Sequence, residues 1–214
     1  MSTMTLEENL QVVDEHTGEP TGICLPRSEV IKNKHWCRST NVFVMNEKGE
    51  ILCHQRSKNK ERHPGVWSTH FGGHVSESET FKINALKELE EEIGLSVSHY
   101  QLIPWRTSRI EIARLWVRDF MTVYAGDLES LKPQAEEIDQ IQWFSPETII
   151  DELQSEGDYD ESKNWLAGTH NFDADYQCMR AVLTAVLDAN LFSRDHYYHL
   201  HKWKPMHSQH DGKQ

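Results

Sequence analysis

The sequence predicts an α+β fold, and three observations carry that prediction. Short β-branched and aromatic runs separated by turn residues recur through the first two thirds of the chain. One segment among them, Thr80 to Ile93, has helical periodicity, and a second amphipathic run, Ala174 to Leu191, follows a polar stretch near the end. Strands wrapped around one or two helices are the signature of this class. With 214 residues, 37% of them hydrophobic, the chain can build one domain with a substantial core, and two full domains would be cramped. The expected division is a domain over residues 1–150, opened by an N-terminal hairpin, and a helical extension over residues 151–214 that packs on it and ends in an irregular tail.

Taken in order, the run from Leu10 to Leu25 holds two apolar stretches around Thr17-Gly18-Glu19-Pro20, which predicts a hairpin or β-turn between strands. Asn41 to Met45 is β-rich, Asn46 to Gly49 has turn chemistry, and Ile51 to Cys53 resumes the apolar pattern, so a second hairpin is expected. A polar, basic loop then runs to Pro64-Gly65, followed by a strand-like Val66 to Thr69. In the segment from Thr80, Phe81, Ala85 and Leu89 recur every four positions, Leu86 and Ile93 widen the stripe, and Gly94 is placed to stop the helix. Gln101 to Trp105 and Leu115 to Ala125 read as strands, the latter with Val117, Asp119, Met121 and Val123 on one face. Ile138 to Phe144 is a further strand, and Ser145-Pro146-Glu147 opens a helix with proline at its first position. Gln154 to Asp160 turns polar and acidic and is expected to be a loop.

The formal net charge of −12 argues against duplex nucleic acid as a partner, because phosphate backbones are gripped by excess Lys and Arg. An acidic chain that handles phosphate must use a local basic patch or a bound cation. Cys24, Cys37, Cys53 and Cys178 have neither zinc-site spacing nor the density of a disulfide framework, and read as reduced thiols of a cytoplasmic protein. The N-terminus lacks a basic segment followed by an apolar run, and no apolar stretch is long enough to span a bilayer, so neither export nor a membrane partner is expected. His196, His199, His201, His207 and His210 are irregularly spaced and read as a surface tail. A homodimer is compatible with the sequence, which does not specify one.

The chemistry concentrates on the Thr80 helix. Residues at i, i+3 and i+4 share a helical face, so Glu88, Glu91 and Glu92 project together. Three clustered carboxylates repel unless a cation lies between them, and hard oxygen ligands select Mg²⁺, with Mn²⁺ as the alternative, over softer metals.

The segment from Gly73 to Leu95 resembles the Nudix signature G-x5-E-x7-R-E-U-x-E-E-x-G-U, where U is a bulky aliphatic residue. Gly73, Glu79, Glu88, Leu89, Glu91, Glu92, Gly94 and Leu95 fall at its spacing, eight of nine defined positions. The ninth, the family's arginine, is Lys87, which keeps the charge and loses the two-pronged planar contact. The resemblance implies an α/β/α sandwich with a mixed central sheet. It also implies that Glu88, Glu91 and Glu92 bind divalent metal with the Gly73 carbonyl as a further ligand, and that Glu79 orients the helix face through Lys87. The implied reaction is attack of water on phosphorus in the pyrophosphate linkage of a small nucleoside or non-nucleoside diphosphate compound. The family often draws a general base from a later loop, and Glu136 and Glu137 precede the strand at Ile138 in that place; Glu137 is the candidate, as base or as metal ligand. In the basic loop, Arg56 and Lys60 are the candidate substrate contacts, because they supply counter-charge for a diphosphate. Trp67, Phe71 and Trp116 are candidates for stacking on a substrate ring, although core packing is the commoner fate of such side chains.

Upstream, residues 35–75 are similar to the isopentenyl-diphosphate isomerase branch of the same superfamily, a resemblance that with the N-terminal hairpin covers roughly residues 10–150. The likeness rests on a histidine before the first core strand, on Gln-Arg-Ser followed by lysine, and on Pro-Gly-x-Trp leading to Gly-His. That enzyme protonates carbon with a cysteine and a glutamate. The cysteine position here is Gly72, the two glutamates fall near Val117 and Asp119, and of the metal-binding histidines only His35 and His74 remain, the third falling near Ser28. Glycine cannot transfer a proton, so hydrolysis is the expected activity. The alternatives are an isomerase-like enzyme and, given Lys87, a diphosphate-binding module with little catalysis.

Overall fold

The computed structural model describes residues 7–155, 165–166 and 172–188. The expected N-terminal hairpin forms from β1 (Asn9–Val13) and β2 (Pro20–Pro26), a separate antiparallel pair. Its turn is fixed by Asp14, whose carboxylate accepts from the amides of His16 and Thr17. A six-residue helix that the sequence pattern did not signal, α1 (Arg27–Lys32), follows at once and buries only Val30.

The central sheet is mixed. Its order is β6 (Ile103–Ile110), β7 (Leu115–Val123), β3 (Cys37–Met45), β4 (Ile51–Arg56), β5 (Trp67–Ser68) and β9 (Trp165–Leu166), with β8 (Ile138–Phe144) also on β4. β3 and β7 run parallel in unbroken register from Cys37↔Leu115 to Met45↔Val123, and β6 is antiparallel to β7. That pairing explains why β3 begins four residues before the apolar run at Asn41, and why the polar Arg106 to Ile110 is strand at all. Long-range hydrogen bonding overrides weak local propensity there.

β3 and β4 touch only at their hairpin end, Met45↔Ile51, around an Asx turn in which Asn46 Oδ1 accepts from the amides of Lys48 and Glu50. They then splay apart. The segment after β5 enters the gap and lies antiparallel on β3, through bridges Val42↔Phe71 and Ser39↔His74.

Helices cover both faces, which completes the sandwich. α2 (Phe81–Ile93) is capped by Thr80, whose hydroxyl accepts from the Ile83 amide, and is closed by Gly94 in the left-handed region at φ 66°. Its inner stripe, Ala85, Leu89 and Ile93, packs with Val42, Val44, Leu52, Phe71 and Phe120. Burying each large aliphatic side chain contributes roughly 1.5–3 kcal/mol, which fixes the helix rotation and therefore the direction of its glutamates.

On the other face, Phe43, Met45, Ile51, Cys53, Met121 and Val123 meet Ile149 of α3 (Pro146–Ser155) and Phe172, Tyr176, Met179 and Leu183 of α4 (Phe172–Asp188). The C-terminal helical segment thus shares a core with the sheet. The expected loop over residues 154–160 lies outside the described residues except for the last two residues of α3, and so do the tail histidines. All four cysteines are free thiols, and no helix among the described residues is long and apolar enough to cross a membrane.

Candidate active site on the acidic helix

The loop lying on β3 brings backbone against the glutamate face of α2. Gly72 has φ 138°, and a Cβ there would stand 2.1 Å from the Thr40 carbonyl oxygen. A Cβ on Gly73 would stand 2.5 Å from Glu88 Oε1. Only a glycine pair lets main chain pass between strand and carboxylate at this separation. The Gly72 amide donates to Glu92 Oε2 at 3.1 Å, so one wall of the site is a backbone N–H.

Glu88 and Glu92 are half-buried, and the charge of Glu88 acts on Glu92. Burial pushes Glu88 up to about 7, with Glu91 adding to the rise and Lys87 opposing it. Burial pushes Glu92 up to about 8, with the negative charges of Glu88 and Glu137 adding and the Gly72 amide and Arg56 opposing. Carboxyls raised by burial and a neighbouring negative charge mark a candidate functional site.

Glu91 differs. It is exposed, beside Lys87, and among the described residues no three acidic, histidine or cysteine side chains converge as metal ligands. The three carboxylates expected to converge are thus not gathered around one point among the described residues, and Glu91 points into solvent-exposed surroundings. Gly73 also departs from expectation: its carbonyl accepts from the Thr40 amide and from Ser39 Oγ, both at 2.9 Å, so both lone pairs are turned to β3. Its visible contribution is the space it leaves for Glu88, not an oxygen.

Lys87 pairs with Glu79, Nζ to Oε1 at 3.2 Å, as the resemblance implied. Burial works to raise Glu79, but hydrogen bonds from Asn84 and Lys87 hold it below the usual glutamate range.

The basic loop and the turn before β8 close the other side. Ser57 donates its amide to the Glu137 carbonyl at 2.8 Å, and Lys60 Nζ contacts both carboxylate oxygens of Glu137. Arg56 donates through Nε and Nη2 to the Arg62 carbonyl at 3.3 and 3.2 Å, which steadies the loop. Glu136 stays exposed. Trp67 stacks on Trp165 at 5.8 Å, Phe71 is fully buried, and Trp116 lies against Gly18, so each has a packing role.

Sequence reasoning missed Asn84. It is fully buried, accepts from Thr40 Oγ1 at 2.6 Å, and reaches the His74 carbonyl, Glu79 and Glu88. A polar residue inside an apolar helical stripe was the available signal. Asp119, on the opposite sheet face, is held by Arg106 at 2.7 Å and Asn41 at 3.0 Å. Burial holds His74 down to about 4, which keeps its ring neutral, and Ser28 is engaged with Glu7 at 3.0 Å.

The family model for the NUDIX domain matches residues 35–166. An uncharacterized Nudix hydrolase of Pseudomonas aeruginosa is 31% identical over 147 residues, covering 67% of this chain and 82% of that protein. An isopentenyl-diphosphate Delta-isomerase of Corynebacterium glutamicum is 23% identical over 166 residues, covering 69% and 82%. A 92-residue stretch, 42% of this chain, is 35% identical to Nudix hydrolase 3 of Arabidopsis thaliana and spans 12% of that protein's length. Among solved structures, DR0079 from Deinococcus radiodurans has the same fold, with a TM-score of 0.59 at 19% identity over 69% of this chain and 90% of that one. The chain belongs to the Nudix family, and its Nudix domain and hydrolase relatives support an enzyme of the pyrophosphohydrolase class.

Proposed function

We propose that this protein hydrolyses the pyrophosphate linkage of a small nucleoside or non-nucleoside diphosphate compound, with Mg²⁺ or Mn²⁺ held by Glu88, Glu92 and, after rotation, Glu91. The observation that carries the reading is the Glu88–Glu92 pair. Two carboxyls raised to about 7 and about 8 by burial, Glu92 further by the charge of Glu88, lie together while Lys87 is paired with Glu79, which fits a divalent cation as their counter-charge. Such an ion would neutralise phosphate charge and lower the pKa of the attacking water.

The chain's own residues supply the rest. The Gly72 amide orients Glu92, and Arg56 and Lys60 offer cationic contacts for the phosphates. Glu137, across from Glu92, accepts the proton of the water once Lys60 has moved to substrate. The isomerase alternative is disfavoured on steric grounds as well as chemical ones, because a cysteine Cβ at position 72 would collide with Thr40.

The test is a panel of nucleoside and non-nucleoside diphosphates incubated with Mg²⁺ in ¹⁸O-water, with label expected in the phosphate product. Glu92→Gln should abolish turnover. Full turnover in that variant, or ligand binding without turnover across the panel, would overturn the assignment; the second result would leave a binding module.

A further inference from the structure

We infer that Asn84 and Lys87 jointly perform the two-pronged clamp on Glu79, and that Asn84 thereby acts as the positioning residue for Glu88. This rests on the hydrolase reading for its catalytic consequence but not for its geometry. Each oxygen of Glu79 meets a different donor: Lys87 Nζ lies 3.2 Å from Oε1, and Asn84 Nδ2 lies 3.1 Å from Oε2. An ammonium is a point charge and cannot present two parallel N–H groups to a carboxylate, whereas a guanidinium can. The second prong here is an amide one helical turn earlier.

The orientation of that amide is fixed by its surroundings. Asn84 Oδ1 accepts from Thr40 Oγ1 at 2.6 Å, so Nδ2 must face the other way, where all three neighbours are acceptors: the His74 carbonyl at 3.0 Å, Glu79 Oε2 at 3.1 Å and Glu88 Oε1 at 3.3 Å. Two hydrogens serve three acceptors, so one hydrogen is shared among the His74 carbonyl and the two glutamates. Asn84 is fully buried, and an amide there without partners would be costly, which makes the arrangement rigid. It ties β3, the glycine loop and both glutamates to one side chain.

The experiment is a rescue series of Asn84→Ala, Lys87→Arg and the double variant, each checked for fold by circular dichroism. Readouts are kcat and KM for a diphosphate substrate, Mn²⁺ affinity by electron paramagnetic resonance, and thermal stability without metal. Asn84→Ala should lower kcat and Mn²⁺ affinity by about tenfold, the scale of losing a partner that orients a metal ligand, with KM little changed. Lys87→Arg alone should change both less than threefold, and adding Lys87→Arg to Asn84→Ala should restore most of the loss, because a guanidinium can bind both oxygens of Glu79. Thr40→Val, which removes only the hydroxyl that orients the amide, should move the same readouts by a smaller factor; it carries the test if Asn84→Ala does not fold. Additive effects with no rescue, or undiminished Mn²⁺ affinity in Asn84→Ala, would overturn the inference. If wild type turns over no substrate, the hydrolase reading fails separately, and non-additive thermal stability between positions 84 and 87 still decides whether the clamp is shared.

Discussion

Lys60 places its ammonium 2.7 and 2.6 Å from the two carboxylate oxygens of Glu137, joining the basic loop to the turn that enters β8. The candidate substrate contact and the candidate base thus neutralise each other until an anionic ligand arrives. Both side chains are about a third exposed, 30% and 33%, so the pair contributes at most about 1 kcal/mol to stability. Lys60→Met is expected to leave the melting temperature nearly unchanged and to raise KM for a diphosphate several-fold, with a smaller effect on kcat. Steady-state kinetics read this directly; a fall in kcat at constant KM would remove Lys60 from substrate binding.

The Glu88–Glu92 pair predicts how stability depends on pH and metal. Both folded-state values, about 7 and about 8, lie above the ordinary glutamate value of 4.5. Between 4.5 and about 8 the folded state binds more protons than the unfolded, so stability falls as pH rises through that window. Thermal melts in chelator should therefore show a decline from about pH 5.5 to about pH 8.5 that is shallower in Glu92→Gln. Because metal and proton compete for the same oxygens, added Mg²⁺ or Mn²⁺ should raise the melting temperature more at the alkaline end. Equal metal effects at both ends would place the cation elsewhere.

How legible these features were in the sequence depends on their range. α2 and its Gly94 stop were readable because helix signals are local, although Thr80, expected as the first helical residue, is the cap. The parallel β3–β7 register, the splaying of β3 from β4 and the antiparallel lie of the glycine loop were not, since each is decided by residues far apart in the chain. For the same reason Gly73 was expected to offer its carbonyl, when the pairing with β3 turns that oxygen away. Asn84 escaped because its partners, Thr40 and the His74 carbonyl, come together only in the fold.

The two glycines facing α2 should respond differently to a methyl group. At Gly72 the obstacle is backbone, the Thr40 carbonyl at 2.1 Å, and φ is 138°, so neither neighbour nor chain can yield cheaply. Gly72→Ala and Gly72→Cys should lose several kcal/mol of stability, since backbone strain of about 1–3 kcal/mol is joined by a steric clash of similar size. At Gly73 the obstacle is the flexible end of Glu88. Gly73→Ala should fold and melt close to wild type while losing metal affinity, because Glu88 is displaced. Chemical denaturation alongside Mn²⁺ titration separates the two; a Gly73→Ala protein with intact affinity would mean that Glu88 is not a ligand.

The last prediction concerns the face away from α2. Asp119 is only 1% exposed, and Arg106 binds it through Nε at 2.8 Å and Nη2 at 2.7 Å while reaching Asp175 of α4 through Nη1 at 2.5 Å. Burial still pushes Asp119 up to about 6, with Arg106 and Asn41 opposing the rise. Removing the guanidinium leaves a buried carboxylate without its cation and removes the Arg106–Asp175 link to α4, so Arg106→Met should cost about 3–5 kcal/mol at about pH 8. The folded value above 3.8 means that stability is lost as pH rises through about 6, and without Arg106 that loss grows. The variant's deficit should therefore shrink toward about pH 5, where Asp119 takes up its proton, and Asp119→Asn should largely abolish this pH dependence. Urea denaturation at the two pH values measures both; a deficit independent of pH would mean that Arg106 acts through packing on Trp105, over which its guanidinium lies at 4.7 Å, and not through charge.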